Sequence, residues 1–402
     1  MGELSAGILP PGGTRLPDPD VSAGFSAYVH IPFCRARCGY CDFNTYTNPN
    51  FGPGASLEDY SQSLNLEIEL SARVLSAACA PGKLRSVFFG GGTPTLLAAD
   101  CLAEVLHRLE TVFGFAPGAE ITTEANPESV TREKLEKLAE NGFTRISFGM
   151  QSAVEDVLSV LERRHTPGQV ALAAQWAREL GLEYSVDLIY GAPGETEKQW
   201  EESVRAALEL SPGHISCYAL TIERGTKMGA RLARGQISAP EDGELADKYL
   251  LADELLSRAG YGWYEISNWA LPGRECRHNL CYWQNRNWWG YGPGAHSHIN
   301  GTRFWNVKHP LAYARRLREG RTVCAGSETL NRRERLEEQI MLGIRLARGI
   351  PVPSHVPAQV IGQLCADGLI ERRPLSLNKR IVLTETGRLL ADSVIRRLWE
   401  GI

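Results

Sequence analysis

The stretch His30-Ile31-Pro32-Phe33-Cys34-Arg35-Ala36-Arg37-Cys38-Gly39-Tyr40-Cys41-Asp42-Phe43 decides how the rest of the chain is read. Three cysteines form a Cys-x-x-x-Cys-x-x-Cys run in a loop that carries Pro32 and Gly39, just after an apolar, strand-like segment. Thiolate is the natural ligand of an iron–sulfur cube, and four protein ligands normally complete one. Three leave one iron open to a further ligand. Phe33, Tyr40 and Phe43 stand where side chains would shield such a cluster and tune its potential. The competing assignment is a structural zinc with His30 as fourth ligand. Zinc motifs usually pair two short cysteine spacings, and this loop does not.

Outward from the loop, strand-like and amphipathic stretches alternate. The strand candidates are Ala27–Ile31, Ser86–Phe89, Glu120–Glu124, Arg145–Gly149, Tyr184–Ile189 and His214–Leu220. Between the first two, Leu57, Tyr60, Leu64 and Ile68 fall at helical spacing on one face. Thr131 has the character of an N-cap before Leu135 and Leu138. Six strand–helix units imply a parallel sheet with right-handed crossovers. They are fewer than the eight of a closed barrel, so an open partial (β/α)6 barrel is expected over 25–222. Residues 1–24 are rich in Pro and Gly without periodicity and read as a flexible N-terminal segment. Residues 223–327 read as an extension of the barrel, with a helix near Glu244–Ala259, a strand at Trp263–Ile266 and a dense aromatic and Gly region. From 328 to 402 the order is helix (Leu336–Leu346), helix (Pro357–Ala366, with Pro357 at its first position), two short strands (Gly368–Glu371 and Arg380–Leu383) and a last helix from Thr386, the pattern of a small winged-helix-like α+β domain.

Composition narrows the class. The 402 residues are 43% hydrophobic and 22% charged, ordinary for a globular chain, and the net charge of −4 gives no electrostatic reason to expect nucleic acid as the main partner. The last 72 residues from Asn331 carry 12 basic and 8 acidic side chains, scattered as on a solvated face, which does not support a DNA-binding regulator. No signal peptide or apolar run of membrane-spanning length is visible. Ten cysteines in such a chain read as thiols and metal ligands. A cytoplasmic location is expected.

The remaining motifs sit at strand ends, where sites of barrels of this kind gather. They are Gly90-Gly91-Gly92-Thr93-Pro94-Thr95, Thr123-Glu124-Ala125-Asn126-Pro127, Phe148-Gly149-Met150-Gln151-Ser152 with Arg163 on the following helix, and Val186-Asp187-Leu188-Ile189-Tyr190-Gly191. Glycines let backbone approach a ligand closely. Taken with the cysteine run and Tyr28-Val29-His30-Ile31-Pro32-Phe33, the chain resembles the radical S-adenosylmethionine (SAM) family of oxygen-independent coproporphyrinogen III oxidases and their relatives, the haem chaperones. The resemblance covers nearly everything from Tyr28. It implies a [4Fe–4S] cluster on Cys34, Cys38 and Cys41 with SAM on the open iron. It also implies SAM contacts from Tyr28, Gly91, Gly92, Thr93, Glu124, Gln151, Arg163 and Asp187. Thr221 and Gly292–His296 match the family's adenine-side contacts more loosely.

Further on, Cys276-Arg277-His278-Asn279-Leu280-Cys281-Tyr282-Trp283 contains a His-Asn-x-x-Tyr-Trp motif that resembles the chaperone branch. A flat macrocycle needs aromatic walls, and haem iron needs an axial ligand. His278 is the candidate, with Cys276, Cys281, His296 and His298 as rivals. Tryptophan clusters are also common core packing, and a single His is often only a hydrogen-bonded structural residue. Two functions follow from the resemblance. One is an oxidase, in which a 5′-deoxyadenosyl radical takes hydrogen from a propionate of coproporphyrinogen III and CO₂ is lost. The other is a carrier passing haem to an acceptor apoprotein. The oxidase pattern has another Cys where this chain has Phe43, and a longer segment before its first strand. Both departures favour the carrier.

Overall fold

The computed structural model describes residues 16, 18, 20–76 and 82–400. Most of the lead-in expected to be flexible, and Cys79, lie outside these. Leu16 and Val21, which are described, are buried in the main core.

Strands and helices alternate through the first half: β1 (Phe25–Ile31), α1 (Tyr60–Leu75), β2 (Leu84–Gly91), α2 (Ala99–Phe113), β3 (Phe115–Ala125), α3 (Arg132–Glu140), β4 (Arg145–Gln151), α4 (Glu155–Val160), α5 (Pro167–Glu179), β5 (Glu183–Tyr190), α6 (Glu197–Glu209) and β6 (His214–Ala219). Local chemistry sets the boundaries. Tyr60, Leu64 and Ile68 form the buried face of α1. Thr131 caps α3 through Lys134 N (3.2 Å), and Thr196 with Gln199 closes a capping box on α6. β1 to β6 pair in sequence order, all parallel. Their apolar side chains meet those of the surrounding helices in one continuous core.

The sheet does not end there. After α7 (Lys227–Ala233) and α8 (Asp242–Arg258), β7 (Gly262–Glu265) and β8 (Asn268–Ala270) add antiparallel at the β6 edge. α9 (Arg277–Trp283) leads to β9 (Trp288–Tyr291), which pairs parallel with β1, and β10 (His296–Ile299) and β11 (Thr302–Asn306) continue from it. α10 (Pro310–Arg318) packs on α1, and β12 (Cys324–Thr329) ends the sheet. In the order β12-β11-β10-β9-β1-β2-β3-β4-β5-β6-β8-β7 the first and last strands do not pair with each other, so the barrel is open. Trp269, Trp289 and Tyr291 of the aromatic region are core residues of this extension.

The last part has its own apolar cluster, including Ile340, Leu364, Ile381 and Val394. It comprises α11 (Arg332–Gly343), β13 (Ile350–Pro351), α12 (Ala358–Ala366), α13 (Arg372–Asn378), β14 (Arg380–Ile381), α14 (Glu385–Leu389) and α15 (Ala391–Trp399). α11 starts four residues before the expected Leu336, because Asn331 and Glu334 form a capping box. Pro357 is the N-cap of α12 rather than its first residue. The wing is small: Ile370 bridges Leu383, β13 pairs β14, and the segment between Ile370 and β14 folds as α13. This part docks through Arg388 of α14, which donates to both carboxylate oxygens of Asp253 on α8 (2.9 and 2.6 Å) and lies 4.6 Å over the Trp263 ring. Arg388→Ala would leave the Asp253 carboxylate without its counter-charge, though Trp269 Nε1 still donates to it (2.7 Å), and should cost roughly 1.5–3 kcal/mol. The urea midpoint measures it, and an unchanged midpoint would show that the pair does not hold the two parts together.

Candidate functional site

Chain direction places the thiols. β1 runs into the cysteine loop, which closes on itself through Cys34 N to Tyr46 O (2.9 Å) and Tyr46 N to Pro32 O (2.7 Å). Cys34, Cys38 and Cys41 all line a cavity of about 630 Å³ at the C-terminal ends of the strands. Thr93 Oγ1 donates to Cys34 Sγ (3.9 Å) and Arg163 Nη1 to Cys38 Sγ (3.5 Å). Burial, and then the other two sulfurs, push the Cys34 thiol up to about 11, a cost that a bound cation reverses. His30 is not with them. Its Nδ1 meets the Tyr28 hydroxyl (3.0 Å) and its Nε2 meets Asn44 O (2.9 Å), so no nitrogen is left for the zinc arrangement. Among the described residues no three His, Cys, Asp or Glu side chains close on a single-ion position. Of the expected shielding residues, Phe33 is buried against Tyr60, whereas Phe43 stands 62% exposed at the cavity mouth.

The glycine loop after β2 packs directly on the cysteine loop. Gly92 N and Thr93 N donate to Ile31 O and Phe33 O (both 2.8 Å). A Cβ on Gly92 would lie 2.5 Å from Phe33 O and 3.0 Å from Cys34 Sγ. Gly91 has φ +107°, and a Cβ there would collide with the His30 ring at 2.4 Å. No residue with a side chain fits either position without moving the loop.

Deeper in, two carboxylates line the cavity, Glu124 near the end of β3 and Asp187 on β5, with β4 between the two strands. Glu124 accepts from Gly91 N (3.1 Å), and Asp187 accepts from Ser147 Oγ (2.8 Å). Burial and then the Asp187 charge raise Glu124 to about 7, and Asp187 is raised by its own burial. Gln151 holds φ +62° at the end of β4, a left-handed conformation that marks strain at a site. Arg163 is in the turn after α4, not on a helix. Its Nη2 donates to Asn126 Oδ1 (2.6 Å) and Gly149 O (3.0 Å), while Nε is buried with no partner. Asn126, which also donates to Thr93 Oγ1 (3.0 Å), links the glycine loop to Arg163. It lies in the quoted strand-end motif but has no titratable group to single it out. Tyr28 and Thr221 also line the cavity. Gly292–His296 does not. Gly292 N donates instead to the buried Glu67 (2.7 Å), and Asn44 Nδ2 donates to Pro293 O (2.9 Å), so this turn braces the cysteine loop from behind.

α9 crosses the barrel floor. His278 is fully buried, stacked on Phe88 at 5.1 Å and edge-on to Tyr282 at 5.0 Å. Ser86 Oγ donates to Ser26 Oγ (2.8 Å), so it accepts from His278 Nδ1 (2.9 Å), and His278 Nε2 is left to accept from the Tyr282 hydroxyl (2.8 Å). Burial lowers the imidazole to about 3, so it is neutral.

The Radical SAM superfamily model matches residues 28–207. A Mycobacterium tuberculosis protein named Heme chaperone HemW is 45% identical over 377 residues, 93% of this chain and 94% of that one. The chain belongs to the HemW family of radical SAM proteins. A Bacillus subtilis protein of the HemW family is 33% identical over 92% of this chain and 97% of its own. The structure of coproporphyrinogen III oxidase (HemN) from Escherichia coli, a radical SAM enzyme, shares the fold with TM-score 0.79 over 94% of this chain and 90% of that one, at 22% identity.

Radical SAM membership implies a [4Fe–4S] cluster and SAM in the HemW family, and the residues present fit both. Three thiols on one loop suit a cube with one open iron. Two facing carboxylates suit a cationic ligand with hydroxyls. Thr122 Oγ1, Arg145 Nη2 and Arg163 Nε are buried without hydrogen-bond partners on residues that line the cavity, polar atoms that a ligand there would satisfy.

Proposed function

We propose that the chain is a haem carrier that binds a [4Fe–4S] cluster, SAM and haem and passes haem to an acceptor apoprotein in the cytoplasm. The cluster is assigned to Cys34, Cys38 and Cys41. SAM is assigned to Tyr28, Gly91, Gly92, Thr93, Glu124, Gln151, Arg163 and Asp187. When bound, the two together supply electron transfer to a C–S bond. His278 is assigned to the haem site. The reading is carried by the motif helix α9, which brings His278 and Tyr282 to the wall of the cavity that the three thiols also line; iron could reach His278 Nε2 only by displacing the Tyr282 hydroxyl that now donates to it. The names of the relatives from M. tuberculosis and B. subtilis, both haem chaperones, support it. Titration of the reconstituted chain with haem should give a Soret band, and His278→Ala should weaken or shift it. A wild-type chain without a Soret band would end the reading.

The SAM assignment makes a separate prediction. Glu124→Ala and Asp187→Ala should each keep the cluster absorption but lose on the order of 1.5–3 kcal/mol of SAM affinity, roughly ten- to a hundredfold. Calorimetric titration measures it. Unchanged affinity in both moves SAM elsewhere. The affinity should also depend on pH. Burial holds Glu124 protonated up to about 7, and a cationic ligand needs the carboxylate. Affinity should therefore rise about tenfold from about pH 6 to about pH 8 as the carboxylate ionises. Glu124→Gln should flatten that rise.

A further inference from the structure

A second cavity, of about 520 Å³, opens at the opposite end of the barrel, under the N-terminal ends of β1 and β2 and the start of β3. α9 separates it from the first. Arg277, Leu280, Cys281 and Gln284, spaced as one helical face, line the lower cavity, while His278, Asn279 and Tyr282 line the upper one. Cys281 is buried with its thiol donating to Asn287 O (3.6 Å), and Phe25 is packed in the main core. The lower lining therefore offers a ligand neither a free sulfur nor an aromatic face. It offers cations. Lys83, Arg85, Arg277 and Arg286 line the cavity and all four stand exposed, and among the described residues no acidic side chain lines it.

The positive charge continues past the rim. Arg348, just before β13, meets the charges of Arg286 and of Arg380 on β14: burial, and then those two charges, lower its guanidinium from the usual value. Arg380 is fixed there by donating to Arg348 O (2.8 Å) and Gly349 O (2.6 Å). Counter-charge is sparse. Arg277 Nε lies 3.8 Å from Glu120, and Arg85 donates to a backbone oxygen, that of Ala23. Six cations thus gather on one side of a chain whose net charge is −4. They repel one another until an anion joins them.

We propose that the lower cavity is a binding site for a small phosphate-bearing polyanion, held by Lys83, Arg85, Arg277 and Arg286 with Arg348 and Arg380 at the rim. Guanidinium forks match phosphate oxygens two at a time, and an oligophosphate can reach several of them at once. The concave shape and the volume are those of a small-molecule site rather than of a flat protein interface. With no aromatic face on which a base could stack, the phosphate groups are what the site reads. The site is independent of the thiols and of haem. Through Arg277 it touches the start of the helix that carries His278, so a bound polyanion braces α9 from beneath.

The test is calorimetric titration of the reconstituted full chain with pyrophosphate at low ionic strength. The wild type should bind it, with an affinity that falls as salt is raised. Arg277→Gln/Arg286→Gln changes two exposed side chains and should lose at least about tenfold in pyrophosphate affinity, while cluster absorption and SAM affinity stay as in the wild type. Unchanged affinity in this variant overturns the site, as does a wild-type chain that binds no pyrophosphate. If the double variant loses the cluster, Lys83→Gln, away from α9, decides in its place: weaker binding supports the site and unchanged binding overturns it. Sulfate bound as tightly as pyrophosphate would mean an adventitious ion only. Tighter binding of a hexaglutamate peptide than of pyrophosphate would give the face to an acidic protein and overturn the small-molecule site.

Discussion

Cys38→Ala should give a folded chain with no [4Fe–4S] cluster. The cysteine loop supplies three thiols at one cavity wall, and the remaining two cannot hold a cube whose fourth iron is already open. The fold itself does not depend on the sulfur, since Cys38 is half-buried and the loop is closed by backbone bonds at Cys34 and Tyr46. Anaerobic reconstitution of the wild type should yield about four irons and four sulfides per chain, and Cys34→Ala, Cys38→Ala and Cys41→Ala should each lose the broad visible absorption. Cys79→Ala, Cys101→Ala and Cys365→Ala should keep it, because none has a cysteine at ligand spacing. Normal iron content in Cys38→Ala would remove the cluster assignment.

Incubation with coproporphyrinogen III, SAM and a reductant should produce no protoporphyrinogen IX. The fold is shared with an enzyme that performs this oxidation, so the expectation rests on residues rather than on architecture. Where the oxidase pattern continues to a further cysteine, this chain has Phe43, and its ring stands out at the cavity mouth with 62% exposure. A substrate entering there meets an apolar side chain in place of a thiol. Product fluorescence after oxidation reads the outcome. Repeated turnover would refute the carrier reading, whatever haem the chain also binds.

Much of the site is legible in order along the chain because each of its parts is local. The cysteine run, the glycine loop and the strand-end carboxylates each follow a strand, and a parallel sheet brings strand ends together by its topology alone. Partnerships are less legible. That His30 turns from the thiols to Tyr28 and Asn44, or that Asn126 joins Thr93 to Arg163, depends on contacts between elements. The start of α11 was open to reading and is set by Asn331 and Glu334, a capping box that begins the helix four residues ahead of Leu336. The parallel pairing of β9 with β1 was not, since it joins segments more than 250 residues apart.

The amino-acid sequence by itself determined the radical SAM architecture of this protein and the loop that carries its thiols. Apolar periodicity and ligand spacing act over a few residues and survive without knowledge of the fold. Only the tertiary structure decided what surrounds His278. Its two nitrogens meet Ser86 from β2 and Tyr282 from its own helix, and the helix parts one cavity from another. Spacing along a helix says which residues share a face. It does not say what each face meets, because that depends on strands whose sequence separation from α9 is nearly 200 residues.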